Sequence, residues 1–401
     1  MIRFSGNRRI LALLELTGLT LLVLLPADFL ITPPVYAGTF KVLYAFQGGT
    51  DGGTPQGKLI MDAAGNLYGT TEYDYGSVFK LDPKGNLTVL HKFTGGADGG
   101  LPSGGLVRDT GGNLYGATAG GGKGPEECCG VIFELDTAGK ETVLYEFSDG
   151  SDGATPYGDL FRDDAGNFYG TVYWIRAESP GGVFKLNRNG KETVLHDFTG
   201  IPDGASPTAG VFRDNEGNLF GTTSVGGGGP RFEGCGTVFK VSKTGKETVV
   251  YRFLDLPDGA FPQAGLIPGT RGNFYGTTYI GGDPACNGFY GVGCGTVFEV
   301  SAAGSEKVLY RFHKSKNQAG PLGGLVRDAL GNLYGTTSGS PNGSVFKLDP
   351  HGKETVLHYF TGGTDGCDPV VSLTLDSAGN LYGTASACGA FGYGVVFEIT
   401  P

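Results

Sequence analysis

Hydrophobic and polar positions along this chain fall into short runs rather than long amphipathic stretches, and the runs recur. "LTVLHKF" returns as "ETVLYEF", "ETVLHDF", "ETVVYRF", "EKVLYRF" and "ETVLHYF", and an early copy, "TFKVLYAF", spans Thr39 to Phe46. Within such a run Val89, His91 and Phe93 fall on one face and Leu90 and Lys92 on the other, the period-two pattern of a half-buried strand. Three further runs complete a unit: a stretch after a proline such as "GGLVRD", then "NLYGTT", then "SVFKL". All are short, rich in Val, Phe, Tyr, Thr and Leu, and bounded by Gly and Asp turns, so four antiparallel strands per unit are expected. The turn between the first two strands, "DAAGN" at Asp62 to Asn66, has Asp first and Gly fourth, as a type I turn prefers. Six of seven copies keep that Asp, and the fifth has Gly269.

Seven copies are present. The Asn of the second strand is Asn66, Asn113, Asn167, Asn218, Asn273, Asn332 and Asn380, and the opening proline is Pro55, Pro102, Pro156, Pro207, Pro262, Pro321 and Pro369. Seven four-stranded units at a period near fifty residues predict an all-β fold, a seven-bladed β-propeller in which each blade buries its faces against its neighbours. The last unit, from Pro369 to Pro401, has three strands and lacks a fourth, whereas "TFKVLYAF" is a fourth strand without the other three. Pairing it with "GVVFEIT" would complete the last blade, close the ring and remove two exposed edges.

These repeats, "D-x-x-G-N-L-Y-G-T-T" followed by "G-x-V-F-K-L" and "G-K-E-T-V-L-Y-x-F", resemble the GloVer (Gloeo/Verruco) repeat of choice-of-anchor tandem repeat proteins. The resemblance covers Thr39 to Pro401. It implies an exported bacterial protein at the cell surface or outside, and it implies no reaction and no catalytic residues. The chain differs from the family in ending at Pro401 without a sorting or anchoring segment, so attachment through that end is not expected.

The N-terminal segment fits export. Arg3, Arg8 and Arg9 precede "ILALLELTGLTLLVLLPA", and "VYA" stands before Gly38, the order of a secretory signal. Residues 1–37 are therefore read as a signal peptide and 38–401 as one propeller, located in the periplasm, at the cell surface or in the medium. Glu15 and Pro26 within the apolar run weigh against an uncleaved anchor, and no later run is long enough to span a membrane. Glycine supplies 75 of 401 residues without a triplet period, which excludes collagen, and a net charge of −10 with no basic patch argues against a nucleic-acid partner.

Spacing points to the working face. From the fourth-strand Phe to the next Pro is always nine positions, from Pro to Asn eleven, and from third-strand to fourth-strand Phe fourteen. Only the distance from Asn to the third-strand Phe varies: 13, 20, 17, 21, 25, 14 and 17. Every insertion thus lies between the second and third strands, on the face shared with the loops that join one blade to the next, and variable loops on a rigid scaffold are where binding resides. Tyr73, Tyr75, Trp174, Phe289 and Tyr290 are the aromatic candidates there. All seven cysteines fall on that face too. Cys286 with Cys294, and Cys367 with Cys388, are the candidate disulfides, while Cys128, Cys129 and Cys235 leave an odd thiol.

A glycan or protein ligand on this face is the expected function, with no cofactor. The alternative is a propeller enzyme of the lyase or lactonase kind with a metal at the channel mouth. The "DG" series Asp51, Asp98, Asp152, Asp203, Asp258 and Asp365 could bind calcium, but its repetition, broken only at Asn317 to Gly320, suits a turn device better. Arg108, Arg162, Arg213 and Arg327 could line the channel, yet their repetition suggests pairing with neighbouring Asp. His91, His196 and His358 occupy the place of Tyr44, Tyr145, Tyr251 and Tyr310, as packing residues do. No metal-ligand spacing and no nucleophile motif is present, so binding is favoured over catalysis.

Overall fold

The computed structural model describes residues 12–16, 19–23, 38–122, 129–174, 179–231, 233–286, 293–313, 320–339 and 342–401. Two compact units are present, Met1–Tyr36 and Ala37–Pro401. In the first, Ala12–Leu16 pairs antiparallel with Leu19–Val23. No described helix is long and apolar enough to cross a membrane.

The second unit is a seven-bladed β-propeller. Each of its seven sheets has four antiparallel strands, in sequential order in six of them. In blade 1 these are Ile60–Met61, Leu67–Thr71, Ser77–Leu81 and Leu87–Lys92. Blades 2 to 6 begin at Val107, Ala154, Phe212, Ile267 and Val326. Blade 7 takes Thr374–Leu375, Leu381–Ala385 and Val395–Thr400 from the C-terminal end, and Thr39–Ala45 from the beginning of the unit. Thr39 pairs with Thr400, Val42 with Phe397 and Ala45 with Val395. The ring is closed as the split unit predicts.

Two local expectations are corrected. The fourth strand does not alternate throughout, because each blade carries one extra residue there. In blade 1, Val78 faces His91 and Phe79 faces Val89, so Leu90 is bulged out of the ladder. The first strand is also shorter than "GGLVRD" suggests. Only two residues pair in six of the blades, and blade 3 alone has a long one, Ala154–Arg162.

The core lies between blades. The last Phe of each fourth strand meets the third-strand Phe of the next blade. Phe46–Phe79, Phe198–Phe239 and Phe312–Phe346 have ring centroids 5.3, 5.1 and 5.1 Å apart in edge-to-face contact, and these rings are fully buried. The glycine of "LYGTT" follows from this packing. A Cβ on Gly69 would stand 2.7 Å from both the Phe79 ring and the Leu59 side chain. The next threonine stitches blades together: the hydroxyls of Thr70, Thr171 and Thr222 donate to the carbonyls of Gly104, Ala209 and Ala264 on the following inner strand at 3.1, 3.0 and 2.9 Å. Blade 2 has Ala117 at this place.

On one face the 1–2 turns are held by their own Asp. Asp62 accepts hydrogen bonds from the backbone N–H groups of Ala64 and Asn66, the Asn66 amide and the Tyr68 hydroxyl. The other face carries the 2–3 loops and the blade-to-blade loops.

Candidate functional site

The route into the central channel begins at the residue before each proline. Thr54, Leu101, Thr155, Ser206, Phe261, Gly320 and Asp368 all have positive φ, between 52° and 64°. Six of them are not glycine, so the turn is strained by roughly 1–3 kcal/mol at each. Hydrogen bonds on both sides hold it. The Thr54 N–H donates to the Tyr393 carbonyl of the preceding blade at 2.8 Å, and the Thr54 carbonyl accepts from the Glu72 N–H at 3.1 Å. The same pair of bonds recurs at Phe261, with Cys235 and Tyr279.

Beyond this turn the chain runs along the channel with one bend at the second residue after the proline in six blades, and that residue is buried there while the first residue after the proline stays at least partly exposed. The first position after proline forms an upper tier of Gln56, Ser103, Tyr157, Thr208, Gln263, Leu322 and Val370. The third forms a lower tier of Lys58, Gly105, Asp159, Gly210, Gly265, Gly324 and Ser372. All seven upper residues and six of the seven lower ones line the described cavities at the axis, one of about 240 Å³ within the channel and one of about 660 Å³ at its mouth. The fifth position is apolar in six blades and Thr374 in the seventh, and Phe161 and Ile267 lie against the inner cavity.

Blade 3 breaks the symmetry. Its first strand pairs with Phe168–Trp174 on both sides of an irregularity between Tyr157 and Phe161, with Ala154 opposite Trp174 and Tyr157 opposite Thr171. Trp174 is therefore the last residue of a strand, not part of a free loop as expected from the insertion, and it stands 47% exposed over the mouth. Tyr173 meets it edge-to-face at 4.9 Å, and Tyr157 lies 6.1 Å from Tyr173. Burial raises the Tyr157 phenol above its usual value, and the Glu72 carboxylate and Tyr173 add to the shift. Burial likewise raises the carboxyls of Glu72 and Asp368.

Within the lower tier Lys58 and Asp159 are the charged members. Asp159 Oδ1 accepts the Gly105 N–H at 2.7 Å. A Cβ on Gly105 would lie 2.8 Å from that oxygen and 3.1 Å from the Lys58 Cβ, so both side chains frame Gly105.

Of the aromatic residues expected at the site, Trp174 reaches the mouth. Tyr73 and Tyr75 are exposed on the same face but away from that cavity: Tyr73 packs on Tyr393 at 4.9 Å, and Tyr75 covers Gly95. Phe289, Tyr290, Asn317 and Cys128 lie outside the described residues. Cys286–Cys294 and Cys367–Cys388 are disulfides, Cys129 is also disulfide-bonded, and Cys235 is a buried free thiol.

The Asp-Gly carboxylates do not ring the channel. They sit at the ends of the outermost strands and hold the connecting loops. Asp51 accepts from the Tyr44 hydroxyl and the Gln47 N–H at 2.8 and 2.9 Å, Asp152 from Tyr145 at 2.9 Å, and Asp203 is bonded to His196 at 3.1 Å. Nor do the recurrent arginines line the channel. Arg108, Arg162 and Arg213 lie over the rings of Tyr68, Tyr115 and Tyr169 of the preceding blade at 6.0, 5.2 and 5.6 Å. Among the described residues no group of three His, Cys, Asp or Glu is arranged to hold a metal ion.

Sequence reasoning missed Gln56, Lys58, Tyr157, Asp159 and Tyr173. The signal was available: at the third position after proline, five units have Gly or Ser, and two have Lys58 and Asp159.

The Gloeobacter/Verrucomicrobia repeat model matches residues 29–173, 72–290 and 285–401. No curated protein matches the chain. Among solved structures, virginiamycin B lyase from Staphylococcus aureus is similar over 90% of this chain and 100% of its own, with a TM-score of 0.60 and 12% identity. The extracellular domain attributed to a one component system from B. thetaiotaomicron is similar over 90% of this chain and 40% of that one, with a TM-score of 0.56 and 12% identity. At such identity the likeness shows a shared propeller fold.

Proposed function

The chain belongs to the Gloeobacter/Verrucomicrobia repeat family, whose repeat builds the scaffold and leaves chemistry to the positions that break it, and we propose that it is an exported binding module for a saccharide at the channel mouth. One observation carries this reading. Tyr157, Tyr173 and Trp174 gather over a concave mouth whose walls present Gln56, Ser103, Thr208 and Gln263. Exposed aromatic faces stack on the apolar faces of sugar rings, and amide and hydroxyl groups match the hydroxyls at their edges. A concave pocket suits a sugar better than the flat surface a folded protein partner would need. Export is supported by the basic–apolar–"VYA" order of residues 1–37 and by two disulfides within the propeller.

Binding of the purified propeller to a glycan array, followed by calorimetry on the saccharides retained, tests the reading. Trp174→Ala should weaken binding about tenfold, the equivalent of about 1.4 kcal/mol of stacking. The melting temperature should hardly move, because this side chain is half exposed. Lys84→Ala, on the opposite face, should leave affinity unchanged. An affinity that survives both Trp174→Ala and Tyr157→Ala overturns the assignment.

A further inference from the structure

Resting on the saccharide reading, we propose that the channel receives the end of a neutral glycan chain, with adjacent hydroxyls of its terminal sugar bridging Lys58 and Asp159. The closed ring sets the direction of approach. The mouth is encircled by seven blades, joined at the last seam by the pairing of Thr39–Ala45 with Val395–Thr400. A cleft would let a chain lie across it; this pit admits a terminus.

The lower tier sets the chemistry. Two residues further along each inner segment than the upper tier, five of seven positions are Gly or Ser and offer little to a ligand. Lys58 and Asp159 stand on either side of Gly105, in blades 1 and 3. Both line the inner cavity. Gly105 fixes the carboxylate by donating to Oδ1 at 2.7 Å, and Oδ2 takes no partner among the described residues. No described carboxylate lies within ion-pair distance of the Lys58 ammonium. A carboxylate only accepts hydrogen bonds and an ammonium only donates them, whereas a hydroxyl does both. Two neighbouring hydroxyls, one donating to Asp159 and one accepting from Lys58, satisfy both groups with charge-assisted bonds. The pair is neutral overall and matches a neutral sugar, whereas a uronate that pairs with Lys58 still faces the Asp159 carboxylate and an amino sugar that pairs with Asp159 still faces Lys58. Below this tier Phe161 and Ile267 offer no partner to a further hydroxyl.

The test uses the full propeller and short neutral hexose oligosaccharides printed through their reducing ends, each with its non-reducing end free or capped. Capping should abolish binding, and in calorimetry on the free-ended saccharide Lys58→Met and Asp159→Asn should each lower affinity at least tenfold with melting temperatures unchanged. If Trp174→Ala weakens binding but neither tier variant does, the terminal clamp is wrong and the saccharide reading stands. Equal binding of capped chains, or tighter binding of uronic acid or amino sugar chains, also overturns the clamp. If no saccharide on the array is retained, the reading beneath it falls as well.

Discussion

Replacing Phe46 with Ala probes the one seam of the ring that is closed without chain continuity between the third and fourth strands. Phe46 is fully buried, its ring packs on Phe79 of blade 1 with centroids 5.3 Å apart, and its N–H donates to the Gly394 carbonyl at 3.0 Å. Truncating a buried Phe costs about 3–5 kcal/mol, through lost burial and the cavity left behind. With an unfolding entropy of about 2 cal/mol/K per residue over a unit of about 365 residues, Ala37–Pro401, that loss corresponds to a fall in Tm of roughly 5 °C. Phe198→Ala is the matched control. Its partner Phe239 lies at the same kind of seam, 5.1 Å away, but there the fourth strand follows its third directly in the chain. The two losses in packing should be similar. Phe46→Ala should show the larger fall in Tm, because its strand can detach with the end of the chain. Differential scanning calorimetry on both variants measures this, with deletion of Thr39 to Phe46 as the extreme case. A Phe46→Ala protein melting within about 1 °C of the parent, or a strand deletion melting like the intact propeller, would refute the closure argument.

Stability should fall as pH rises from about 5 to 8. Glu192, Glu247 and Glu306 open fourth strands, and burial first, then an Asp of the preceding blade, pushes each carboxyl up to about 7. A raised acid binds its proton more tightly when folded, so the folded state is favoured below the usual carboxylate range and loses that advantage as pH passes the folded value. Glu192→Gln should raise Tm at pH 8 and flatten the profile, and a profile that instead rises from pH 5 to 8 refutes the sign. Below about pH 4 the opposite limb appears, because at Asp62, Asp163 and Asp214 burial pushes the carboxyl up but the hydrogen bonds of their turns together outweigh it and hold it low. Peptide mapping without reduction should join Cys286 to Cys294 and Cys367 to Cys388, and finding these as free thiols in exported protein would refute the pairing. Opening the second, which spans 21 residues, should cost about 3 kcal/mol.

The sequence determined the scaffold because every blade solves the same packing problem with the same residues. The period, the glycine of "LYGTT" that makes room for a Phe ring, the Asp that folds each turn and the split last unit are local or repeated signals. Repetition made them legible seven times over. The side of the disc that carries the long loops was legible for the same reason, as were the two disulfides whose partners lie near each other in the chain. Repetition also weighed correctly against a calcium ring at Asp51 and its counterparts, whose Tyr and His partners place them in the connecting loops at the outer strands. The channel was a different matter. Lys58, Gly105 and Asp159 belong to three blades and lie about fifty residues apart in sequence, and only closure of the ring brings them to one wall. Trp174 looked like part of a loop because nothing local shows that Ala154 pairs with it. Curvature of the whole array decides which residues face the axis, and curvature is a sum over all seven seams that no single unit encodes.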